Sequence, residues 1–423
     1  MKISVFRSAV CAVLAALAAT ATAAEEAKPA PKFEFHGFVG ASLFMQDAIF
    51  NNSGQQIFFV TRTPNTDRLL FGGDARQTRL NLSLAGSPIF GGATPKAVAE
   101  IDFFGTAGTS ATNVTPRLRL SYGELKWENT TFRAGQFNML LLGTFGATSV
   151  GHIPQSYAYN AGYLGGRTIG LEGTHSVPVG DMKVEGTLQV LRPGQGNLGG
   201  EAEGFGLTFA EASGTPAFEG RLRLTKAKLL DVYVVGHWNR VDRNGVGNAK
   251  SVPAALGDTQ TTAVGSVGVK LTAGPLTVQG QGYVGKNLAE FTASLGQFVR
   301  TQDGDLHEWG AWGQLGYNIT PEFSAWAFLG TCHPNYGEVE DLANAGAFNT
   351  AATGQPSNSR ANAKLQNVTT AAMLRYMEGG YALGLEYVHM RTKFLVPPAA
   401  SAARSPNGVL NGNQLMFSGM YFF

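Results

Sequence analysis

The stretch Lys183-Val184-Glu185-Gly186-Thr187-Leu188-Gln189-Val190 changes character at every residue. Val184, Gly186, Leu188 and Val190 fall on one side, and Lys183, Glu185, Thr187 and Gln189 on the other. Successive side chains of a strand point to opposite faces, so this period of two marks a strand with one apolar and one polar face. Arg117-Leu118-Arg119-Leu120-Ser121-Tyr122 and Arg79-Leu80-Asn81-Leu82-Ser83-Leu84 repeat the pattern. Phe33 to Met45 repeats it with Phe38 and Phe44 blurring the polar side. Further strands are expected to begin near Lys96, Thr130, Thr168, Phe218, Leu230, Ala263, Leu276, Trp309, Phe323, Val368, Tyr381 and Gln414. Each runs for the roughly 9–11 residues that carry a tilted strand across a bilayer. The total is about sixteen.

The connections alternate in length. Short turns are expected at Glu128-Asn129, Pro178-Val179-Gly180-Asp181, Lys226-Ala227-Lys228, Ala273-Gly274, Thr320-Pro321 and Glu378-Gly379-Gly380. Between them lie long polar stretches near 46–74, 105–116, 138–166, 192–216, 241–260, 287–306, 333–362 and 393–412, and only 85–95 breaks the rule. An up-and-down membrane barrel makes this alternation, with tight periplasmic turns and long extracellular loops. Both termini then lie on the periplasmic side, which requires an even number of strands. The fold class read from the sequence is all-β, a transmembrane antiparallel β-barrel over 33–423.

Composition fits. Among 423 residues there are 55 Gly, 10% aromatics and only 15% charged residues, and mean hydropathy is −0.03. Strands greasy on one face and wet on the other average to such a value without long apolar blocks. Phe33, Phe132, Tyr317, Tyr376, Tyr381, Tyr421 and Phe423 lie near short turns or a terminus, as a periplasmic aromatic girdle requires, and Trp238 and Trp309 suit the outer girdle. The chain ends on Leu415, Phe417, Gly419, Tyr421 and Phe423 of one face. An apolar last strand with a terminal aromatic looks like the signature read by the barrel-assembly machinery.

The first residues carry Lys2 and Arg7, an apolar run from Ala9 to Ala18, and Ala21-Thr22-Ala23 as a cleavage site. This reads as a signal peptide over 1–23, followed by a short periplasmic lead over 24–32. Export to the outer membrane of a Gram-negative cell follows. No stretch reaches the roughly 18 uninterrupted apolar residues of a membrane helix. Cys11 sits inside the apolar run, not where a lipid-modified cysteine would stand, and Cys332 is left as a lone thiol. Its neighbour His333 does not complete a ligand set, so no metal and no cofactor are expected. The 32 Lys plus Arg and 30 Asp plus Glu balance once Lys2 and Arg7 are removed, which disfavours a nucleic-acid partner. Seven scattered histidines, with neither a Gly-Xaa-Ser-Xaa-Gly elbow nor a His-Glu-Xaa-Xaa-His helix, give no support for an enzyme. Gly280 to Lys286 imitates a nucleotide loop, but Asn287 stands where Ser or Thr would hold Mg²⁺, and no helix follows.

Polar strand faces would line a lumen. They place Arg79, Arg117, Arg119, Arg133, Lys183, Arg221, Arg223, Lys270 and Arg375 against Glu100, Asp102, Glu172, Glu185, Glu219 and Glu386. Basic residues outnumber acidic ones, and lumen charge sets which ions pass; Arg79, Arg117, Arg119 and Arg133, on the strands next to 137–166, are expected to make the pore favour anions, with Glu100 and Asp102 offsetting part of their field. The same charges also suit simple pairing across neighbouring strands. The connection 137–166 carries no Asp, Glu, Lys or Arg, but has Met139, Leu140, Leu141, Leu142, Phe145, His152, Tyr157, Tyr159 and Tyr163. Such a composition packs against a wall, so the segment is expected to fold inward as a constriction. The alternative is that Met139 to Leu142 extends the fifth strand.

Four segments carry a family likeness. At Asp74-Ala75-Arg76-Gln77-Thr78-Arg79, Glu100-Ile101-Asp102-Phe103-Phe104-Gly105, Arg117 to Leu125 and Ala134-Gly135-Gln136, the chain resembles the DcaP-like porins. The resemblance covers roughly 74–137. It implies a sixteen-stranded homotrimer in the outer membrane that admits small, often anionic solutes such as dicarboxylates. Some members carry an N-terminal coiled coil, whereas 24–32 here holds only a short lead with Pro29 and Pro31. Trimer contacts are expected at Gly37, Ala41 and Gly419, on the lipid sides of the first and last strands. The competing reading is a binding or scaffold barrel without a general channel role.

Overall fold

The computed structural model describes residues 31–50, 57–60, 68–105, 114–153, 156–194, 209–242, 259–299, 304–346, 348–349, 360, 363–396 and 407–423. The expected signal peptide 1–23 and nearly all of the lead 24–32 lie outside the described residues.

Sixteen antiparallel strands close into a barrel. They are β1 (Lys32–Gln46), β2 in two runs (Leu70–Asp74 and Arg79–Ala85), β3 (Thr94–Asp102), β4 (Arg117–Lys126), β5 (Thr130–Asn138), β6 (Arg167–Val179), β7 (Met182–Leu191) and β8 (Ala217–Lys226). The second half comprises β9 (Leu230–Asp242), β10 (Thr259–Ala273), β11 (Leu276–Lys286), β12 (His307–Asn318), β13 (Phe323–Pro334), β14 (Lys364–Glu378), β15 (Tyr381–Phe394) and β16 (Val409–Phe422). Each strand pairs with its neighbours in sequence, and β1 closes the ring on β16 with Ala41 opposite Gly419. Closure is what lipid demands, because an open edge would leave backbone N–H and C=O groups without partners.

The alternation seen in the sequence becomes two faces of one wall. Leu188, Val284 and Phe417 stand outward and exposed, at 72%, 68% and 52%, where hydrocarbon would meet them. Thr187, Gln189, Gln281 and Gln414 on intervening positions are buried inside. At the rim of short turns, rings gather in the expected girdle: Phe35 and Phe423 lie 5.1 Å apart, Phe323 and Tyr376 4.9 Å, and Tyr381 and Tyr421 4.7 Å. Near the other rim, Trp309 stacks on His333 at 4.3 Å.

Four expectations need correction. The stretch 46–74 is not wholly a polar loop, since Leu70–Asp74 pairs with β1 and Ile57, Phe59 and Val60 are buried. In 287–306, Leu288, Phe291 and Leu295 are likewise buried. The short apolar runs in both stretches are the signal that average polarity hid. Tyr122 does not share the lipid face of Leu118. Glu100 pairs with Leu120 and Ile101 with Leu118, so Arg119 is the extra residue of a β-bulge and the phase of β4 reverses beyond it. Tyr122 therefore turns in and lies under the Arg133 guanidinium at 5.3 Å. Finally, Met139 to Leu142 does not extend β5: the strand stops at Asn138, and Leu140–Leu142 makes a 3-10 turn that ends on Gly143 at φ 75°.

Candidate functional site

Gln136 makes the bulge in β4 stable. Its Nε2 donates to the carbonyls of Leu118 at 3.1 Å and Arg119 at 3.0 Å, the acceptors that an irregular ladder leaves over. With the bulge in place, Arg117 and Arg119 both turn inward beside β3. Arg117 grips Asp102 with two nitrogens, at 2.9 and 2.6 Å, while Arg119 bridges Glu100 and Asp102 at 2.7 Å each. Arg79 approaches Glu100 at 3.6 Å, an ion pair without a hydrogen bond. A planar fork with several donors suits this sharing of carboxylates.

Arg167, at the start of β6, joins this group and was missed in the sequence because it stands at the seam between loop and strand. It is within electrostatic reach of Arg117, Arg119, Asp102 and Tyr159, and no carboxylate among the described residues forms an ion pair with it. Among the described residues, four guanidiniums thus stand near two carboxylates on one sector of the wall, and three of them pair with those acids.

Several other basic residues of the wall are paired with acids. Arg133 pairs with both Glu124 (2.6 Å) and Glu172 (2.9 Å), and Arg221 reaches Glu185 at 3.3 Å. Arg223 holds Asp231 at 2.7 Å, and Lys183 lies 3.4 Å from Glu185. Glu124 and Asp231 were not among the expected lumen acids. Of the four arginines expected to form the basic wall beside 137–166, Arg79, Arg117 and Arg119 gather with Arg167 about Glu100 and Asp102, whereas Arg133 is held by two acids of its own. Arg375 Nε donates to Ser324 Oγ at 3.2 Å and its guanidinium lies over the Trp326 ring, with no ion pair among the described residues.

The segment between β5 and β6 runs inside the ring. Its backbone is held by inward side chains strand after strand: Glu219 of β8 accepts from the N–H groups of Leu140 and Leu141. Gln281 of β11 donates to the Leu141 carbonyl at 2.9 Å, and Gln279 to that of Gly146 at 2.9 Å. The Gln314 amide of β12 both accepts from Thr148 N–H (2.7 Å) and donates to Thr148 C=O (2.8 Å), as a neighbouring strand would. Thr144 donates to Asp231 at 3.0 Å, and Asn367 of β14 donates to the Asn160 carbonyl at 3.1 Å. Glu386 of β15 takes the N–H groups of Val150 and Gly151 at 2.7 Å each. All these partners lie between β8 and β15.

The five ring residues singled out in this segment sit as follows. Phe145 packs against Tyr233 (5.5 Å) and Trp312 (6.4 Å), and Tyr157 against Phe328 (4.8 Å). His152 is fully buried between Glu386 and Gln414. Tyr163 is buried beside the half-buried Tyr159, which stacks on Phe58 and comes within electrostatic reach of Arg79 and Arg167. Gly162, at φ +99°, lets the backbone pass a strand: a Cβ there would stand 2.1 Å from the Ala311 carbonyl carbon. The wall partners Tyr233, Trp312 and Phe328 could not be told from other alternating aromatics in the sequence.

This ring with an inward segment has counterparts of known structure. The DcaP outer-membrane channel of Acinetobacter baumannii superimposes with a TM-score of 0.68 at 14% identity, over 95% of this chain and 100% of that one. The chain has the porin fold. An anion-selective porin from Comamonas acidovorans matches at a TM-score of 0.56 and 12% identity (93% of this chain, 100% of that one). OmpF of Salmonella typhi, in a complex with daunomycin, matches at 0.55 and 12% (94% and 100%). No protein-family model matches the sequence, and no curated protein matches it significantly.

Proposed function

We propose that the chain is an outer-membrane porin, a passive diffusion channel for small hydrophilic solutes that favours anions such as carboxylates. The observation that carries this reading is the sector where Arg79, Arg117, Arg119 and Arg167 gather about Glu100 and Asp102, the acids near them among the described residues. The carboxylates Glu219, Asp231 and Glu386 are occupied in holding the inner segment on the other side of the ring. In this reading 137–166 is the constriction, and its uncharged face leaves the field at the narrowing to the arginines. Charges beside a narrow, low-dielectric pore act more strongly than exposed ones.

The same reading includes a signal peptide over 1–23, barrel assembly directed by the strand ending in Phe423, and a homotrimer packed through Gly37, Ala41 and Gly419. Small residues on lipid-side faces let barrels approach where no hydrophobic drive exists. Purified protein in a planar bilayer tests the function directly. Stepwise conductance with a reversal potential favouring chloride over potassium is expected; an electrically silent barrel would end the channel reading.

A further inference from the structure

Two pieces of the long connections bury all but one of their residues. In 57–60, Ile57, Phe59 and Val60 are buried and Phe58 is half-buried; in 157–165, Tyr159 stands out in the same way. The two residues that emerge meet each other, with ring centroids 5.2 Å apart and planes at 24°. Tyr159 also comes within electrostatic reach of Arg79 and Arg167, so the stacked pair is turned toward the arginine sector. Neighbouring rings do not share this position, since Tyr157 packs on Phe328 and Tyr163 is buried.

One wall side chain fastens both pieces. Asn367 of β14, which is fully buried, donates from Nδ2 to the carbonyls of Phe58 at 3.2 Å and Asn160 at 3.1 Å. An amide nitrogen has two hydrogens, one for each carbonyl. Its Oδ1 accepts from the Thr392 hydroxyl of β15 at 2.7 Å, and Thr392 Oγ1 accepts from Val60 N–H at 2.9 Å. Asn160, at φ 50°, is held on its other side as well, where its N–H donates to the Thr292 carbonyl at 2.9 Å. Left-handed backbone of this kind suits Asn better than most residues that carry a side chain. The two carbonyls that Asn367 holds thus belong to Phe58 itself and to the residue after Tyr159.

We propose that Phe58 and Tyr159 form the face of the constriction turned toward the arginines and set its width, and that Asn367 is the positioning residue that keeps the two rings together. This deepens the channel reading and rests on it. The rings come from different connections, and each restricts the rotation of the other, so the pair is stiffer than either ring alone. They bring area and no charge. Width is then set by one pair of residues, and ionic preference by another group, Arg79, Arg117, Arg119 and Arg167. Without Asn367 the Phe58 and Asn160 carbonyls would meet a wall that offers no donor, a loss that the two pieces relieve by moving off it.

The test uses the full-length protein in planar bilayers. Phe58→Ala combined with Tyr159→Ala should raise single-channel conductance about twofold, because two rings leave the narrowing, and should keep the preference for anions. Tyr159→Phe, which keeps the ring, should conduct as wild type does. Asn367→Ala should raise conductance in the wild-type background and add nothing in the ring-less double variant, since it acts through the rings. In hydrogen exchange it should lower the protection of Val60 and Asn160 about tenfold. Unchanged conductance in the ring-less protein, or an Asn367→Ala effect that is the same with and without the rings, overturns the proposal. So does a ring-less protein that turns cation-selective, because width and charge would then not be separate. If Asn367→Ala fails to fold, Thr392→Val, which removes the hydroxyl between Asn367 and Val60, is read in the same two backgrounds. A wild type that never conducts sinks the channel reading, while exchange at Val60 and Asn160 still judges what Asn367 holds.

Discussion

Replacing Arg117 and Arg119 together by Gln should move ion selectivity by an amount that the structure sets. The sector holds four guanidiniums against Glu100 and Asp102, so the double change removes its whole excess of two charges. One charge about 8 Å from a passing ion contributes about 0.5 kcal/mol in water. Salt at about 0.15 M, with a Debye length of about 8 Å, cuts this to roughly a third. Two charges then contribute about 0.4 kcal/mol, or about twofold more anion and twofold less cation at the narrowing. The chloride-to-potassium ratio should therefore fall about fourfold in the variant, and about fifteenfold at about 0.01 M, where screening is weak. Arg167→Gln is the cleaner companion, since no carboxylate loses a partner; it should lower the ratio about twofold at about 0.15 M. Reversal potentials in a salt gradient read all three proteins. A cation-selective wild type, or an unchanged ratio in variants shown to be folded, refutes the reasoning.

Cysteines at Ser42 and Ser418, whose hydroxyls lie 2.6 Å apart across the closing pair, should form a disulfide under oxidation and shift mobility on a denaturing gel. No cross-link would mean that β1 and β16 do not close the ring in this register. Gln136→Ala leaves the Leu118 and Arg119 carbonyls without their donor and should destabilise the barrel by about 1–3 kcal/mol in denaturant unfolding. Gly162→Val should alter conductance with little effect on the barrel itself, because the added atoms meet the Ala311 backbone; unchanged conductance would show that the inner segment does not set the aperture. Ala41→Trp should convert a trimer in mild detergent to monomers, and a wild type that is monomeric at the outset defeats that part of the proposal.

Strand period and connection length were enough to reveal the architecture, because lipid leaves a chain of this kind few choices. A face that meets hydrocarbon must be apolar at every second residue, and backbone groups must pair around a closed ring. What the period cannot show is a change of phase. The bulge at Arg119 depends on the side chain of Gln136 from the next strand, and nothing within Arg117 to Tyr122 announces it. The turn at Leu140–Leu142 was hidden for a similar reason. Its N–H donors end on Glu219, 78 or 79 residues away in sequence, and local preference carries no trace of such a partner.

The basic sector illustrates where counting residues stops being informative. The sequence pointed to Arg79, Arg117, Arg119 and Arg133 as the basic wall beside 137–166, but a list of residues cannot tell a paired guanidinium from an unpaired one. Geometry separates them: Arg133 is matched by Glu124 and Glu172, whereas Arg167 arrives beside Arg117 and Arg119 with no ion pair among the described residues. The uncharged inner segment sharpens that difference. Its backbone donors need anionic acceptors to be held inside the ring, and the wall answers with Glu219 and Glu386 on strands β8 and β15. Those negative charges are spent on N–H groups and imidazoles at the contact itself. They are therefore masked from the lumen, while the excess on β2, β4 and β6 is not. In the proposed reading, holding a neutral segment with acids on one side is what leaves a positive field on the other.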